Sequence, residues 1–136
     1  MPVYEIAGGN STGVAALVAG STNYFGVPGS GRTNAETSVQ AEAKDTMTLR
    51  NLIVRITSNG TSTNSTVMSR VNVANGAQSV TIGAALTGLF EDTGNIDSLV
   101  VGNTWAMQWV VGTGGTIIFT DAGFLLDTTT SRSILA

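Results

Sequence analysis

Thr46-Met47-Thr48-Leu49-Arg50-Asn51-Leu52-Ile53-Val54-Arg55-Ile56-Thr57 is the stretch whose reading decides the fold. Met47 and Leu49 alternate with hydroxyls and Arg50, and the alternation resumes at Ile53 or Val54. A period of two places apolar groups on one side of an extended chain and polar groups on the other, so this is a strand with one buried face. The phase slips at Arg50-Asn51, which predicts a β-bulge. Ser58-Asn59-Gly60 then predicts a turn, because Asn-Gly accepts positive φ at low cost.

The same rhythm continues on both sides. Residues 65–73 set Val67, Ser69, Val71 and Val73 against Thr66, Met68, Arg70 and Asn72, and Asn75-Gly76 predicts a second turn. A short strand over 79–82 leads into a small-residue corner, Gly83-Ala84-Ala85, with at most a turn or two of helix over 83–86. Strands over 88–91 and 98–101 are separated by Asp92-Thr93-Gly94-Asn95. Gly102-Asn103-Thr104 turns into a strand over 105–111, and Gly112-Thr113-Gly114-Gly115 separates it from a last strand over 116–120 that 122–126 extends. Upstream, 24–27 and 38–43 read as edge strands. No helical period is sustained. Short strands at regular spacing, joined by Gly and Asn turns, predict an all-β antiparallel sandwich or barrel.

With 136 residues and no internal repeat or linker, the chain forms one domain. Its parts are an N-terminal arm over 1–22, a β-sandwich over 23–127 and a C-terminal tail over 128–136. The arm is small and Gly-punctuated, with Val3, Tyr4, Ile6 and Leu17 as apolar anchors. It either lies along a neighbouring surface or folds back as an edge strand of the same domain. The tail ends in Ile134-Leu135, frayed or an apolar hook.

Composition narrows the function classes. The chain has no His, no Cys and one Lys, Lys44. His is the commonest general acid or base, Cys is a strong nucleophile, and both dominate transition-metal sites. Their absence predicts a protein that binds and assembles, not an enzyme, with no cofactor and no metal. Only 11% of residues are charged, so neutral Thr, Ser, Asn and Gly carry the surface, as over 58–66. Such a surface costs little to bury against another chain. The net charge is −3, and Arg32, Lys44, Arg50, Arg55, Arg70 and Arg132 are scattered, which argues against nucleic acid as a partner. No stretch resembles a signal sequence or a membrane span, which predicts synthesis in the cytoplasm and no membrane partner. The sequons at Asn10, Asn59 and Asn64 are expected by chance in an Asn/Ser/Thr-rich chain.

Few residues suggest chemistry. Gly29-Ser30-Gly31-Arg32 and Gly112-Thr113-Gly114-Gly115 lack the Gly-Lys-Ser/Thr ending of a phosphate loop and read as loops needing positive φ. The run 91–97 gathers carboxylates and an amide, so Asp92, Asn95 and Asp97 are candidates for a cation loop, against the plainer reading of solvated turn residues. Glu91 with a distant carboxylate such as Asp121 is a candidate for glycoside hydrolysis, which needs two flanking carboxyls that the sequence does not place opposite each other. Trp105 and Trp109 are candidates for stacking on host surface glycans, with Tyr24 and Phe25. Their alternation in phase with Met107 is the pattern of a core face, which is the favoured expectation.

A resemblance adds to this reading. Leu49-Arg50-Asn51-Leu52-Ile53-Val54-Arg55-Ile56-Thr57 is followed by an Asn/Ser/Thr loop and Thr66-Val67-Met68-Ser69-Arg70-Val71-Asn72-Val73-Ala74-Asn75-Gly76. Val80-Thr81-Ile82-Gly83, Thr87-Gly88-Leu89-Phe90-Glu91-Asp92 and Asp97-Ser98-Leu99-Val100-Val101-Gly102-Asn103 come after it. That order is similar to small jelly-roll virion proteins of tailed bacteriophages, of the head decoration (cement) and fibre-tip types. The resemblance covers about half the chain and rests on strand rhythm and turn residues, with no catalytic motif. It implies an eight-strand jelly roll, a homotrimer, and a place on the virion beside the major capsid protein or another virion protein, with 1–22 as a docking arm. A carbohydrate-binding receptor module of a fibre or tail is the alternative expectation.

Overall fold

The computed structural model describes residues 3–7, 15–26 and 32–128. The deciding stretch forms β6 (Met47–Asn59), whose inward side chains are Met47, Leu49, Leu52, Val54 and Ile56. Asn51 sits at φ 54, in the left-handed region, and shifts the inward phase from Leu49 to Leu52. The predicted bulge is therefore real, and Asn tolerates its conformation better than most residues.

Across from it, β9 (Gly88–Leu99) runs unbroken through the four residues expected to interrupt it. Arg50 pairs with Ile96 and Leu52 with Asp92, so residues 93–95 stand opposite Asn51 alone. Thr93-Gly94-Asn95 has the composition of a turn, and the chain uses it as an enlarged bulge within one strand.

β6 and β9 belong to one antiparallel sheet. Its order is β1 (Val3–Ala7), β11 (Ile117–Thr128), β6, β9, with β2 (Ala15–Leu17) also pairing β11. The second sheet runs β4 (Arg32–Thr33), β3 (Thr22–Phe25), β10 (Thr104–Val110), β7 (Ser65–Val71), β8 (Ala74–Ile82). β5 (Ala41–Glu42) pairs the start of β10. β1 and β2 pair different stretches of β11 in the same direction, so they serve as one interrupted edge strand. The sheets then read 1-11-6-9 and 3-10-7-8, and the chain crosses between them at β2–β3, β5–β6, β6–β7, β8–β9, β9–β10 and β10–β11. This is a two-sheet β-sandwich with jelly-roll strand order.

The inner faces meet in one core. Trp109 stacks on Phe119 with ring centroids 4.5 Å apart, and Phe25 meets Phe119 edge-on at 5.4 Å. Trp105 meets Phe124 edge-on at 6.2 Å. Trp105, Trp109 and Phe25 come from one sheet, Phe119 and Phe124 from the other, so these contacts clamp the layers. Each aromatic pair contributes about 0.5–1.5 kcal/mol beyond its area burial.

Three smaller expectations change. The β7–β8 hairpin turns at Asn72-Val73, with φ of 51 and 64, and Asn75-Gly76 lies inside β8. A β-branched residue at positive φ is unusual. Tertiary bonds hold it: Thr104 N–H donates to Asn72 Oδ1 at 3.0 Å, and Asn72 N–H donates to Thr104 O at 2.9 Å. The corner at 83–86 is a β-turn closed by Leu86 N–H to Gly83 O at 3.1 Å, with no helix. The 38–43 segment divides into the end of a 3-10 turn (Glu36–Ser38) and β5. That 3-10 turn covers the outside of the second sheet, where buried Glu36 takes a bidentate bond from Arg70 at 3.0 and 3.1 Å.

Candidate interaction surface

Trp105 and Trp109 are 3% and 0% exposed, so the glycan-stacking expectation is corrected in favour of the core. The Trp109 indole N–H is satisfied inside, donating to Met107 Sδ at 3.2 Å. Glu91 and Asp121 share the outer face of one sheet, separated by β6, and Arg55 lies 3.6 Å from Asp121.

The candidate cation residues Asp92, Asn95 and Asp97 form a seam within the chain. Asp92 accepts from Ser79 N–H at 2.9 Å, Gly94 N–H at 3.2 Å, Asn95 N–H at 3.1 Å and the Asn95 amide at 3.0 and 3.1 Å. Burial works against its charge, but the donors from Ser79, Asn95 and Gly94 outweigh it and hold its pKa below the ordinary carboxylate value. Asp97 accepts from Ser69 Oγ at 2.5 Å, Ala77 N–H at 2.7 Å and Gln78 Nε2 at 3.0 Å. Gln78 is buried and reaches β6 on either side of the bulge. It accepts from Leu52 N–H at 3.0 Å and donates to Leu49 O at 3.1 Å. The carboxylates thus cap N–H groups on the outer edge of β8, which a neighbouring strand would otherwise pair. Among the described residues, no three metal-binding side chains gather. The cation loop is corrected to an edge seal.

Of the two expectations for the arm, its described residues follow the second and fold back on the domain. The backbone of Val3, Tyr4 and Ile6 pairs with β11, so 3–7 is an edge strand of the sandwich, and Leu17 is fully buried in the core. Residues 1, 2 and 8–14 of the arm, Gly29, Ser30 and Gly31, and the tail from 129 onward, including Ile134-Leu135, lie outside the described residues. Thr128, assigned to the tail, closes β11 opposite Met47.

What remains is a surface that the motif reading missed. At one end of the sandwich, residues 18–22, 57–66, 82–88 and 110–118 converge, and none is Asp, Glu, Lys or Arg. Hydrogen bonds lock them together. Gly20 N–H donates to Gly112 O at 3.0 Å and Val111 N–H to Ser21 O at 2.9 Å. Ser62 N–H donates to Thr113 O at 2.7 Å and Gly60 N–H to Thr116 O at 2.8 Å. Thr113 N–H donates to Thr63 Oγ1 at 2.8 Å and Gly112 N–H to buried Ser65 Oγ at 2.9 Å. Asn59 is the keystone. Its amide donates to Gly83 O at 3.1 Å and Leu86 O at 2.9 Å, while its oxygen accepts from Thr61 N–H at 3.0 Å and Thr61 Oγ1 at 2.6 Å. A Cβ on Gly112 or Gly115 would strike the backbone of Thr63 or Gly60, so the loops touch too closely for any side chain there. Val18, Leu86 and Val110 stand exposed on this end, the first two at 61% and 55%.

No protein-family model matches the chain, and no curated protein sequence matches it. The signal for the surface was present in the sequence as four separate uncharged turn clusters. Only the strand order shows that they meet.

Proposed function

We propose that this chain is a structural protein of a bacteriophage virion, which assembles as a homotrimer and decorates and stabilises the particle surface beside the major capsid protein or another virion protein. One observation carries the reading: the charge-free, interlocked loop end with Val18, Leu86 and Val110 exposed. A preformed surface loses little entropy on binding and meets its partner by shape. The conspicuous candidates for ligand chemistry are engaged elsewhere, the tryptophans in the core and Asp92 and Asp97 in the edge seal.

Light scattering on the purified chain tests the assembly, with an expected mass three times 13.9 kDa. Density-gradient sedimentation of the phage particles whose genome encodes the chain tests the location, with the chain expected in the particle band. A single subunit that stays at the top of the gradient would sink the proposal. Saturable quenching of tryptophan fluorescence by sugars would favour the receptor-module alternative, and burial of Trp105 and Trp109 predicts none.

A further inference from the structure

We infer that the charge-free loop end is the surface through which copies of this chain bind one another. The inference rests on the trimer reading above and names its interface.

Charge placement singles out this end. The outer face of the β9–β6–β11 sheet carries Arg50, Arg55, Glu91, Asp121 and Asp127, with Arg50 bonded to Asp127 at 2.6 Å. The outside of the other sheet carries the Arg70–Glu36 pair. At the opposite end of the sandwich, Val73, Val100 and Val101 are exposed, but Glu42, Lys44 and Asp45 lie in the same group of turns, with Lys44 bonded to Glu42 at 2.7 Å. Ala43 ties that segment to the β9–β10 turn, donating to Asn103 O at 2.7 Å. Burying the exposed charges of the first face or of the far end strips water from ions, at several kcal/mol each unless well paired, whereas the Arg70–Glu36 pair is already largely buried beneath the 3-10 turn that covers the second face.

Two copies of a chain with net charge −3 repel wherever their carboxylates approach. The loop end presents no charge to a partner, and the polar groups named above are already bonded within it. Neutral meeting neutral is the complementarity that an identical partner supplies. Three such ends arranged head to tail around an axis close a ring and leave both sheet faces and the charged end outside. Val18 and Leu86 supply apolar contact, and the Thr and Ser hydroxyls of 61–66 supply the rim.

Analytical ultracentrifugation tests the inference with the full chain. Leu86→Asp and Val18→Asp each place a carboxylate on the loop end, and each is expected to weaken self-association at least about tenfold. Val101→Asp, on an equally exposed residue at the other end, is expected to leave it unchanged. Wild-type affinity is expected to stay within about threefold between about 50 and about 500 mM NaCl, because no ion pair crosses the contact. Circular dichroism confirms folding, and if Leu86→Asp unfolds then Val18→Asp decides. A trimer that survives both loop-end carboxylates, or that dissociates with Val101→Asp, overturns the interface and leaves the trimer standing. A wild-type chain that is a single subunit at every concentration overturns the trimer reading itself.

Discussion

The β8–β9 seam and the loop end face the same difficulty with opposite materials. In both, backbone N–H and C=O groups outrun the ladder and need side-chain partners. The seam uses charge: Asp92 and Asp97 take donors from Ser79, Ala77, Gln78 and Ser69 in a mostly buried setting. The loop end uses neutral amides and hydroxyls, with Asn59 and Thr63 near the surface and Ser65 buried beneath them. A carboxylate accepts several donors at once, which suits a sealed edge that must reject further strands. At a contact surface the same charge would have to be desolvated. Carboxylates are thus drawn into the fold in one region and excluded from the surface in the other.

The comparison breaks most visibly at Asp97. Replacing it by Ala strands buried donors of Gln78 and Ser69 and uncaps Ala77, and a loss of about 3 kcal/mol is expected in urea unfolding. An unfolding midpoint equal to wild type would show that the seam holds nothing. Gly76→Ala attacks the same point sterically, because a Cβ there meets Ser69 Oγ and the Asp97 carboxylate. A loss of about 2 kcal/mol is expected, since both groups are packed and bonded.

How much of this was legible depended on whether the signal was local. The phase slip at Arg50-Asn51 announced the bulge, because an alternating strand reveals an inserted residue directly. Trp105, Met107 and Trp109 announced a core face by the same periodicity. Thr93-Gly94-Asn95 misled, since turn composition does not distinguish a loop from a bulge that a neighbouring strand closes. Asn72-Val73 was illegible, because Val disfavours positive φ and only Thr104, far along the chain, makes the turn. The loop end was spelled out in four pieces, and strand order alone joins them.

Acid sharpens the seam side of the comparison. The hydrogen bonds on Asp92 depress its pKa on folding, so its contribution is full above the unfolded value, near pH 4, and disappears as pH falls through the lower folded value. Stability should therefore be lower in acid, below about pH 4, than at pH 7. Asp92→Asn should reduce that drop while costing about 1–2 kcal/mol at pH 7, because an amide presents only one accepting oxygen. Urea titrations at both pH values measure it. A wild-type and variant pH dependence that superimpose would remove Asp92 from the account.

The smallest effect is expected at Asn59, and its size tests the other half of the contrast. Asn59→Ala removes the bonds to Gly83 O and Leu86 O and the acceptor for buried Thr61, all neutral and, at the two carbonyls, close to solvent. Water then replaces much of what is lost, so a cost of about 1 kcal/mol is expected, against about 3 kcal/mol at Asp97. The larger consequence should be kinetic and local. Without the keystone, the 83–87 turn is no longer fastened to β6, and amide hydrogens there should exchange faster while those of β7 and β10 stay protected. If the interface inference holds, Asn59→Ala also weakens self-association, since Leu86 would have to be ordered on binding. Unchanged exchange at 83–87 would mean that the turn is rigid without Asn59, and that the loop end owes its shape to close glycine packing alone.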